Sequence, residues 1–207
     1  MAARAAVAWA LICAAACSSP GASGPCGFLG STSAAPELQL LAVRSDTSVV
    51  PLNDGDSIAI LTPPQGGRVV FVGVRATNLD GCGVQLNGGL VDPKTTQVRP
   101  DSRTVNLTPT SDGWGVSGSA HGSAAGAISS FLNIPVCPNQ WSTTDIEGND
   151  YGLEVIVTDR EGRKATKSIR VTPECGEPAN LEQCQCLCRA NYVTSQTCPV
   201  DGGKDVQ

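Results

Sequence analysis

Aromatic side chains are scarce in this sequence of 207 residues, which contains three Trp, two Tyr and three Phe. A platform of aromatic rings for stacking sugars is therefore poorly supplied, unless Trp114 and Trp141 lie side by side. The sequence also contains a single histidine, His121, so zinc sites that combine cysteine with histidine lack ligands.

Catalytic motifs are missing as well. His121 lies within residues 117–126, whose small side chains have too little bulk to hold an imidazole ring rigidly. Triad chemistry needs that ring held against a serine and a carboxylate, and no Gly-x-Ser-x-Gly motif occurs. We interpret His121 as an exposed loop residue and expect a protein that is not an enzyme, with a secreted hydrolase as the alternative.

An excess of positive charge is also lacking, since 14 basic residues face 19 acidic ones and the formal net charge is −5. Such a balance does not favour nucleic acid as a partner. Apart from the amino-terminal segment, no apolar run approaches the roughly 20 residues that span a bilayer. The Gly-rich segments 64–67 and 87–89 lack the lysine and following helix of a phosphate-binding loop, so no cofactor is expected.

The amino-terminal segment has the features of an export signal, in which Arg4 supplies positive charge ahead of apolar residues 5–16. It ends in Ala-Ala-Ala followed by Cys17, which resembles the lipobox of bacterial lipoproteins. That resemblance implies cleavage before Cys17 and acylation of Cys17 with palmitate-type chains. Cys13 fits less well because Ile12 would be a bulky residue at the cleavage point. The alternative is an ordinary secretory signal cut near Ala16.

A lipidated Cys17 would carry enough acyl chains for stable membrane attachment. In Gram-negative lipoproteins an aspartate after the lipidated cysteine favours retention in the inner membrane, and here that position is Ser18. The resemblance thus implies a lipid anchor in the outer membrane, with the protein facing the periplasm or the cell surface.

Cysteine content agrees with export. Apart from Cys13 and Cys17, eight cysteines remain, an even number typical of disulfide bonds in an oxidising compartment. They are Cys26, Cys82, Cys137, Cys175, Cys184, Cys186, Cys188 and Cys198. A metal site at Cys184, Cys186 and Cys188 is the alternative, but structural zinc usually has two-residue spacers between cysteines. We expect no metal there.

Composition divides the chain into five segments. We expect a signal peptide at 1–16, a lipid-anchored flexible spacer at 17–36, a β-sandwich at 37–173, a cysteine-rich module at 174–200 and a disordered tail at 201–207. The sandwich segment shows short apolar runs separated by Gly, Pro, Asn and Asp, which is typical of an all-β domain. Its predicted strands are residues 38–43, 57–61, 68–77, 83–91, 103–107, 128–134, 151–158 and 165–171.

The last two strands form the clearest hairpin, with Leu153, Val155 and Val157 alternating with polar residues before a turn at 159–162. This segment resembles the final strands of bacterial immunoglobulin-like domains of the polycystic-kidney-disease or cadherin-like type. The resemblance implies an antiparallel immunoglobulin-like sandwich. In it, Tyr151 would hydrogen-bond through its hydroxyl to the preceding connection as a tyrosine corner. The cysteine typical of antibody domains is absent, so we expect Cys82 and Cys137 to link the sheets.

Residues 186–198 resemble the second half of an epidermal-growth-factor-like module, with Asn191 in place of the usual glycine. The resemblance implies a Cys188–Cys198 disulfide and a left-handed turn at Asn191. One of Cys175, Cys184 and Cys186 would then pair with Cys26, which places both ends of the domain at one pole. A disulfide-stapled protease inhibitor is a further alternative for this tail.

Two acidic clusters are weak candidates for calcium: residues 53–56, and a group formed by Asp145, Glu147 and Asp150. Asp, Asn and Gly also form turns for local reasons, and we favour that interpretation. Taken together, the sequence predicts a non-enzymatic envelope lipoprotein that acts as a binding or structural module. Its ligand would be a protein or a polysaccharide.

Overall fold

A computed structural model describes residues 26–118 and 128–199. The predictions at Cys17 and His121, and those for the signal and the last residues, lie outside the described residues. The described strands are β1 (Phe28–Leu29), β2 (Glu37–Val43), β3 (Val49–Leu52), β4 (Asp56–Leu61), β5 (Arg68–Thr77), β6 (Leu79–Asp80), β7 (Val84–Val91), β8 (Val98–Val105), β9 (Thr108–Pro109), β10 (Gly115–Val116), β11 (Leu132–Cys137), β12 (Tyr151–Thr158) and β13 (Lys164–Cys175). Two 3-10 turns, Ile128–Ser130 and Pro178–Asn180, and helix α1 (Leu181–Leu187) complete the elements.

Strand β5 is the centre of the main sheet. Val72 pairs with Ala42 of β2 on one edge and with Leu132 of β11 on the other. Strands β4 and β10 extend these two edges toward opposite ends of β5. Nearly all residues of β5 are buried, as expected for a strand covered on both faces, which needs a continuous apolar run and not an alternating one.

The sheet curls because β4 pairs with two strands that lie on different sides of the domain. It is antiparallel to β5 and parallel to the end of β13, where Val171–Cys175 align with Asp56–Ile60. From β13 the order continues through β12 and β7 to β8, all antiparallel. The curled sheet encloses one main apolar core, and β11 and β8 approach each other across its open side, where the Asn133 amide donates to the Asp101 carboxylate (2.7 Å).

The prediction of a mainly β domain is confirmed, and several strands were placed closely. The structure gives β5 and β12 the predicted bounds, and the β12–β13 hairpin pairs Leu153 with Ile169 and Val157 with Ala165. Two predicted strands are shifted. Strand β8 begins at Val98 instead of residue 103, and residues 128–130 form a 3-10 turn before β11.

All eight remaining cysteines are disulfide-bonded, but the predicted partners are wrong. The bonds are Cys26–Cys82, Cys137–Cys188, Cys175–Cys184 and Cys186–Cys198. Cys82 cannot reach Cys137, because Cys137 pairs with Arg68 at the start of β5 whereas Cys82 follows the end of β5. Ten residues of extended strand separate these positions by about 30 Å.

Helix α1 explains the pairing in the tail. Cys184 and Cys188 lie one turn apart and face the core, whereas Cys186 lies about 200° further round the helix and faces away. Cys186 therefore closes the outer loop with Cys198, and the predicted Cys188–Cys198 bond is wrong. Asn191 does adopt the predicted left-handed backbone, with φ of 54°.

The two ends of the domain lie at opposite poles and not at one pole as predicted. Cys26 is bonded to Cys82 just before β7 begins, so the Cys26 link to the tail cysteines is wrong. Asp92 follows the other end of β7 and contacts Ser142, whose carbonyl accepts from Asn191 of the tail. Seven residue steps of β7 separate these ends by about 23 Å. No helix in the described ranges is long and apolar enough to cross a membrane.

Candidate functional site

The most exposed large apolar side chain among the described residues is Trp141, with 67% of its surface accessible. It borders a groove of about 330 Å³ on the open side of the curled sheet, between the start of β8 and the end of β11. We call this the Trp141 groove; it is lined by residues 97–100 and 135–138 together with Gln140 and Trp141. Val98 adds a second exposed apolar surface (51%).

The exposed lining of the Trp141 groove is uncharged. Arg99, the charged residue in the lining, is 7% exposed and turns its guanidinium toward Asn139 and the Tyr151 ring. The groove therefore offers an indole, aliphatic and proline surfaces, and the polar side chains of Gln97 and Gln140. Such a surface suits a ligand recognised by stacking and neutral hydrogen bonds and not by ion pairs.

Strand β8 forms one wall as an edge strand. The Asp92 N–H donates to the Gln97 carbonyl, so Gln97 directs its backbone polar groups toward β7. Successive residues of a strand direct these groups to opposite edges, and Pro100, three residues further on, therefore has its nitrogen on the edge that faces away from β7. Proline has no N–H to leave unpaired there, which is the usual place for proline in a sheet. Pro100 also hinders pairing of this edge with a strand of another chain, because it offers no N–H for an intermolecular hydrogen bond.

The loop that carries Trp141 is fixed on both sides of the indole. Asn139 is fully buried. Its backbone N–H donates to the Leu187 carbonyl (2.9 Å), and its side-chain amide donates to the Thr144 carbonyl (2.9 Å). Ser142 is also fully buried, and its hydroxyl donates to the Asp92 carboxylate. Trp141 thus projects from a rigid support, which reduces the entropy lost when a ligand orders it.

Asp92 is the centre of this buried network. Its other carboxylate oxygen accepts from the amides of Lys94 (2.8 Å) and Thr95 (3.0 Å). Burial alone would raise the pKa of Asp92, but the hydrogen bonds from Ser142, Thr95 and Lys94 outweigh it, so the pKa lies below its usual value of 3.8. Asp92 is therefore an ionised structural group at neutral pH.

Tyr151 completes the network as the predicted tyrosine corner. Its hydroxyl donates to the Thr144 carbonyl (3.3 Å), seven residues upstream, and lies 3.3 Å from the Ser142 hydroxyl. Burial, with the negative charge of Asp92 as a further contribution, raises the pKa of Tyr151 above 10.0. The ring of Tyr151 also lies under the Arg99 guanidinium, 5.9 Å from the ring centroid.

A second depression of about 620 Å³ adjoins the groove along the outer face of β12, β7 and β8, and shares Val98 and Pro100 with it. At its floor Gly89 has no side chain, and a Cβ there would lie 2.7 Å from Val98 Cγ1. Its polar border consists of Asn87, Asp101, Ser102 and Glu154. The two depressions form one continuous surface along β8.

The calcium candidates are not brought together. Asp145 accepts from the Ala190 amide (2.7 Å), Glu147 from the Gln185 side chain (3.2 Å) and Asp150 from the Thr172 hydroxyl (2.8 Å). Their carboxylates thus serve three different elements. Within the described ranges, the group of potential ligands that does converge is made of disulfide-bonded cysteines: Cys175, Cys184 and Cys188.

The first acidic cluster is a turn that also carries an ion pair. Asp54 accepts from the Arg170 guanidinium (2.8 Å), which holds the pKa of Asp54 at about 2. Asp56 accepts from the Asn53 amide (2.8 Å) and closes the turn locally. These bonds account for the acidic residues without a cation.

The two tryptophans of the domain do not form a common platform. The ring of Trp114 lies under Arg75 (4.3 Å from the ring centroid), near the end of β5. Trp141 follows Cys137, which pairs with Arg68 at the start of β5. A ligand in the Trp141 groove would therefore contact Trp141 and not Trp114.

No family model matches the chain, and no curated protein matches it. Sequence reasoning missed Asp92 and Arg99, and also Asn139 and Ser142, two pairs that are separated by about 40 residues of chain. The Asp-Pro-Lys-Thr stretch at 92–95 was a usable signal, since an aspartate at the start of a turn often accepts the next amides.

Proposed function

We propose that this chain is an exported lipoprotein that acts as a non-enzymatic binding module, with the Trp141 groove as its contact surface. The observation that carries the proposal is an indole that is two-thirds exposed yet held between two fully buried, hydrogen-bonded residues, Asn139 and Ser142. Tryptophan is among the residue types that most often carry the binding energy of an interface, and a rigidly held side chain loses little entropy when a ligand contacts it.

Export is supported by the disulfides. Four bonds use every cysteine in the described ranges, which suits an oxidising compartment such as the periplasm or the cell exterior. The lipobox-like sequence ending at Cys17 supports attachment to the outer membrane through acyl chains. The spacer was predicted at 17–36, but from Cys26 onward this segment belongs to the domain, because Cys26 is bonded to Cys82 and β1 pairs with β6.

We further propose that the domain is an immunoglobulin-like sandwich. Two features support this finer assignment: the antiparallel β12–β13 hairpin, and the hydroxyl bond of Tyr151 to the Thr144 carbonyl seven residues upstream, which has the pattern of a tyrosine corner.

The anchor is tested by mass spectrometry of the mature protein from a Gram-negative host. We expect an acylated Cys17 at the amino terminus and recovery in the outer-membrane fraction. Cys17→Ala should move the protein to the soluble periplasmic fraction. An unmodified amino terminus at another residue would contradict the proposal.

The groove is tested with a purified insoluble, uncharged envelope polysaccharide. Without Trp114 the groove has no extended platform, but the exposed Trp141 indole can stack on a single sugar ring while Gln97 and Gln140 hydrogen-bond its hydroxyls. In co-sedimentation, Trp141→Ala should weaken binding about tenfold or more, the effect of losing an aromatic hot spot. Val193→Ala removes another apolar side chain that is more than half exposed (57%) but lies outside the groove, and it serves as the control. Equal binding by both variants would reject the groove as the contact surface.

A further inference from the structure

Two disulfides converge on the inner face of helix α1. Cys184 is bonded to Cys175 at the end of β13, and Cys188 is bonded to Cys137 at the end of β11. The Sγ atoms of Cys184 and Cys188 are 4.0 Å apart, and the Sγ atoms of Cys175, Cys184 and Cys188 all lie within 4.8 Å of one another. No intervening group is needed for one bond to react with the other.

Access to this cluster is uneven. Cys184, Cys188 and Cys137 are 2%, 1% and 6% exposed, whereas Cys175 is only partly buried. Because thiol–disulfide exchange begins with attack on a sulfur that a thiolate can reach, an incoming thiol meets Cys175 first. The sulfur released by that attack is Cys184, which faces Cys188.

The geometry also allows the alternative bond. Residues one turn apart in a helix have Cα atoms about 6 Å apart, within the range of disulfides. Cys188 lies at the C-cap, just beyond the last helical residue Leu187, so it can move without breaking the helix interior. A Cys184–Cys188 bond is therefore compatible with the fold.

We propose that Cys175, Cys184, Cys188 and Cys137 form a thiol–disulfide exchange relay that reacts with small thiols at Cys175 and releases a thiol at Cys137. In the first step a thiolate bonds to Cys175 Sγ, and the Cys175–Cys184 bond breaks to leave Cys184 as thiolate. In the second step Cys184 Sγ bonds to Cys188 Sγ, and the Cys137–Cys188 bond breaks to leave Cys137 as thiolate. Cys137 takes up a proton equivalent to the one lost by the incoming thiol, and the number of disulfides is unchanged.

The relay links two separate surfaces of the protein. Cys175 lies at the β13 side of the tail, whereas Cys137 lines the Trp141 groove. A thiol that reacts at one surface thus generates a nucleophile at the other. This reactivity does not depend on what the groove binds.

The test uses the second step alone. In Cys175→Ser the thiolate of Cys184 is present from the start, so no external thiol is needed. The purified variant is held near pH 8, where thiolates form in useful amounts, and is then denatured in acid with N-ethylmaleimide present. We expect the label on Cys137 in addition to Cys184. The tryptic peptide 104–160 contains Cys137 and no other cysteine, so its label is unambiguous.

The matched control is Cys198→Ser, which frees Cys186 on the opposite face of the same helix. Here we expect the label on Cys186 alone, with peptide 104–160 still disulfide-linked. Absence of label on Cys137 in Cys175→Ser overturns the relay. Label on Cys137 in both variants shows general scrambling and overturns it too.

A measurement on the unaltered chain covers the case in which Cys175→Ser does not fold. The wild-type protein is incubated with one equivalent of reduced glutathione and quenched in the same way. We expect glutathione on Cys175 together with N-ethylmaleimide on Cys137. Glutathione on Cys175 with Cys137 still linked would show that the second step does not occur.

Discussion

The Tyr151 hydroxyl belongs to the buried network that holds the Trp141 loop, and its contribution to stability can be measured with one substitution. Tyr151→Phe removes the donor to the Thr144 carbonyl and leaves that carbonyl with one partner fewer. We expect a loss of about 1–2 kcal/mol in the free energy of unfolding, measured by denaturant titration. The far-ultraviolet circular dichroism spectrum of the folded variant should be retained.

Tyr192→Phe is the matched control for that hydroxyl. Tyr192 also donates to a backbone carbonyl, that of Gln196 (3.0 Å), but within the outer loop closed by Cys186 and Cys198. Because water can replace a bond at this part-buried position, we expect a loss below about 0.5 kcal/mol. Equal losses in the two variants would show that the corner has no special role.

The contribution of Asp92 to the free energy of unfolding should depend on pH. Its pKa in the folded protein lies below 3.8, so its contribution to stability is present above that value and is lost as the pH falls through the lower folded pKa. Asp92→Asn should lower the free energy of unfolding by about 2 kcal/mol at neutral pH. Denaturant titrations from neutral pH down to about pH 2 should show the difference from wild type shrinking in the acid range. A difference independent of pH would contradict this role.

At the residue scale, the sequence predicted two local features correctly. The hydroxyl bond of Tyr151 and the left-handed backbone of Asn191 were each implied by the resemblance of a short segment to a known module, and both are present. The network of Asp92, Ser142 and Arg99 did not follow, because its members meet only after β7, β8 and β12 have assembled. Long-range contacts of this kind leave no periodic trace in the sequence.

Strand glycines give an element-scale prediction. A Cβ on Gly73 of β5 would lie 2.5 Å from Phe131 Cε1 and 2.8 Å from Ser117 Oγ. Overpacking of this kind costs about 1–3 kcal/mol, so Gly73→Ala should lower the thermal midpoint of unfolding. An unchanged midpoint would show that Phe131 moves freely.

Gly152→Ala in β12 is the control for Gly73→Ala, because a Cβ at this position meets no close contact. Its Cβ would lie 3.5 Å from Val91 Cβ, an ordinary contact, and its φ is not in the left-handed region. Replacing glycine by alanine at such a position reduces the entropy of the unfolded chain. We expect the midpoint to stay the same or rise.

Elements with a strong pattern were predicted best. The continuous apolar run of β5 and the alternation in β12 each fixed the bounds of a strand. Strand β8 was predicted too short because Pro100 and charged residues dominate its exposed edge. Helix α1 was missed because seven residues with two cysteines carry too little helical periodicity, and its disulfides hold it in place.

At the scale of the whole molecule, the four disulfides differ in the length of chain they close. Cys26–Cys82 closes 56 residues and Cys186–Cys198 closes 12. The chain-entropy estimate assigns about 4 kcal/mol to the first and about 3 kcal/mol to the second. Replacing each pair by serine should therefore lower the denaturant midpoint more for Cys26 and Cys82. The reverse order would show that local contacts outweigh loop length.

The disulfide connectivity could not be predicted from the spacing of the cysteines in the sequence. Eight cysteines can be joined in about a hundred ways, and the correct set depends on which strand ends meet. Cys137 meets Cys188 only because β11 ends beside helix α1, and Cys26 meets Cys82 only because β1 pairs with β6. Both are consequences of the folded topology.

The separation of the two poles has a mechanical consequence. A chain held through its amino end and pulled at the Trp141 groove is loaded along β7, since Cys26–Cys82 lies before that strand and Gln97 bonds to Asp92 beyond it. The hydrogen bonds of β7 to β8 and β12 run across this direction. The load therefore shears a whole ladder at once instead of opening it one bond at a time, an arrangement that resists tension.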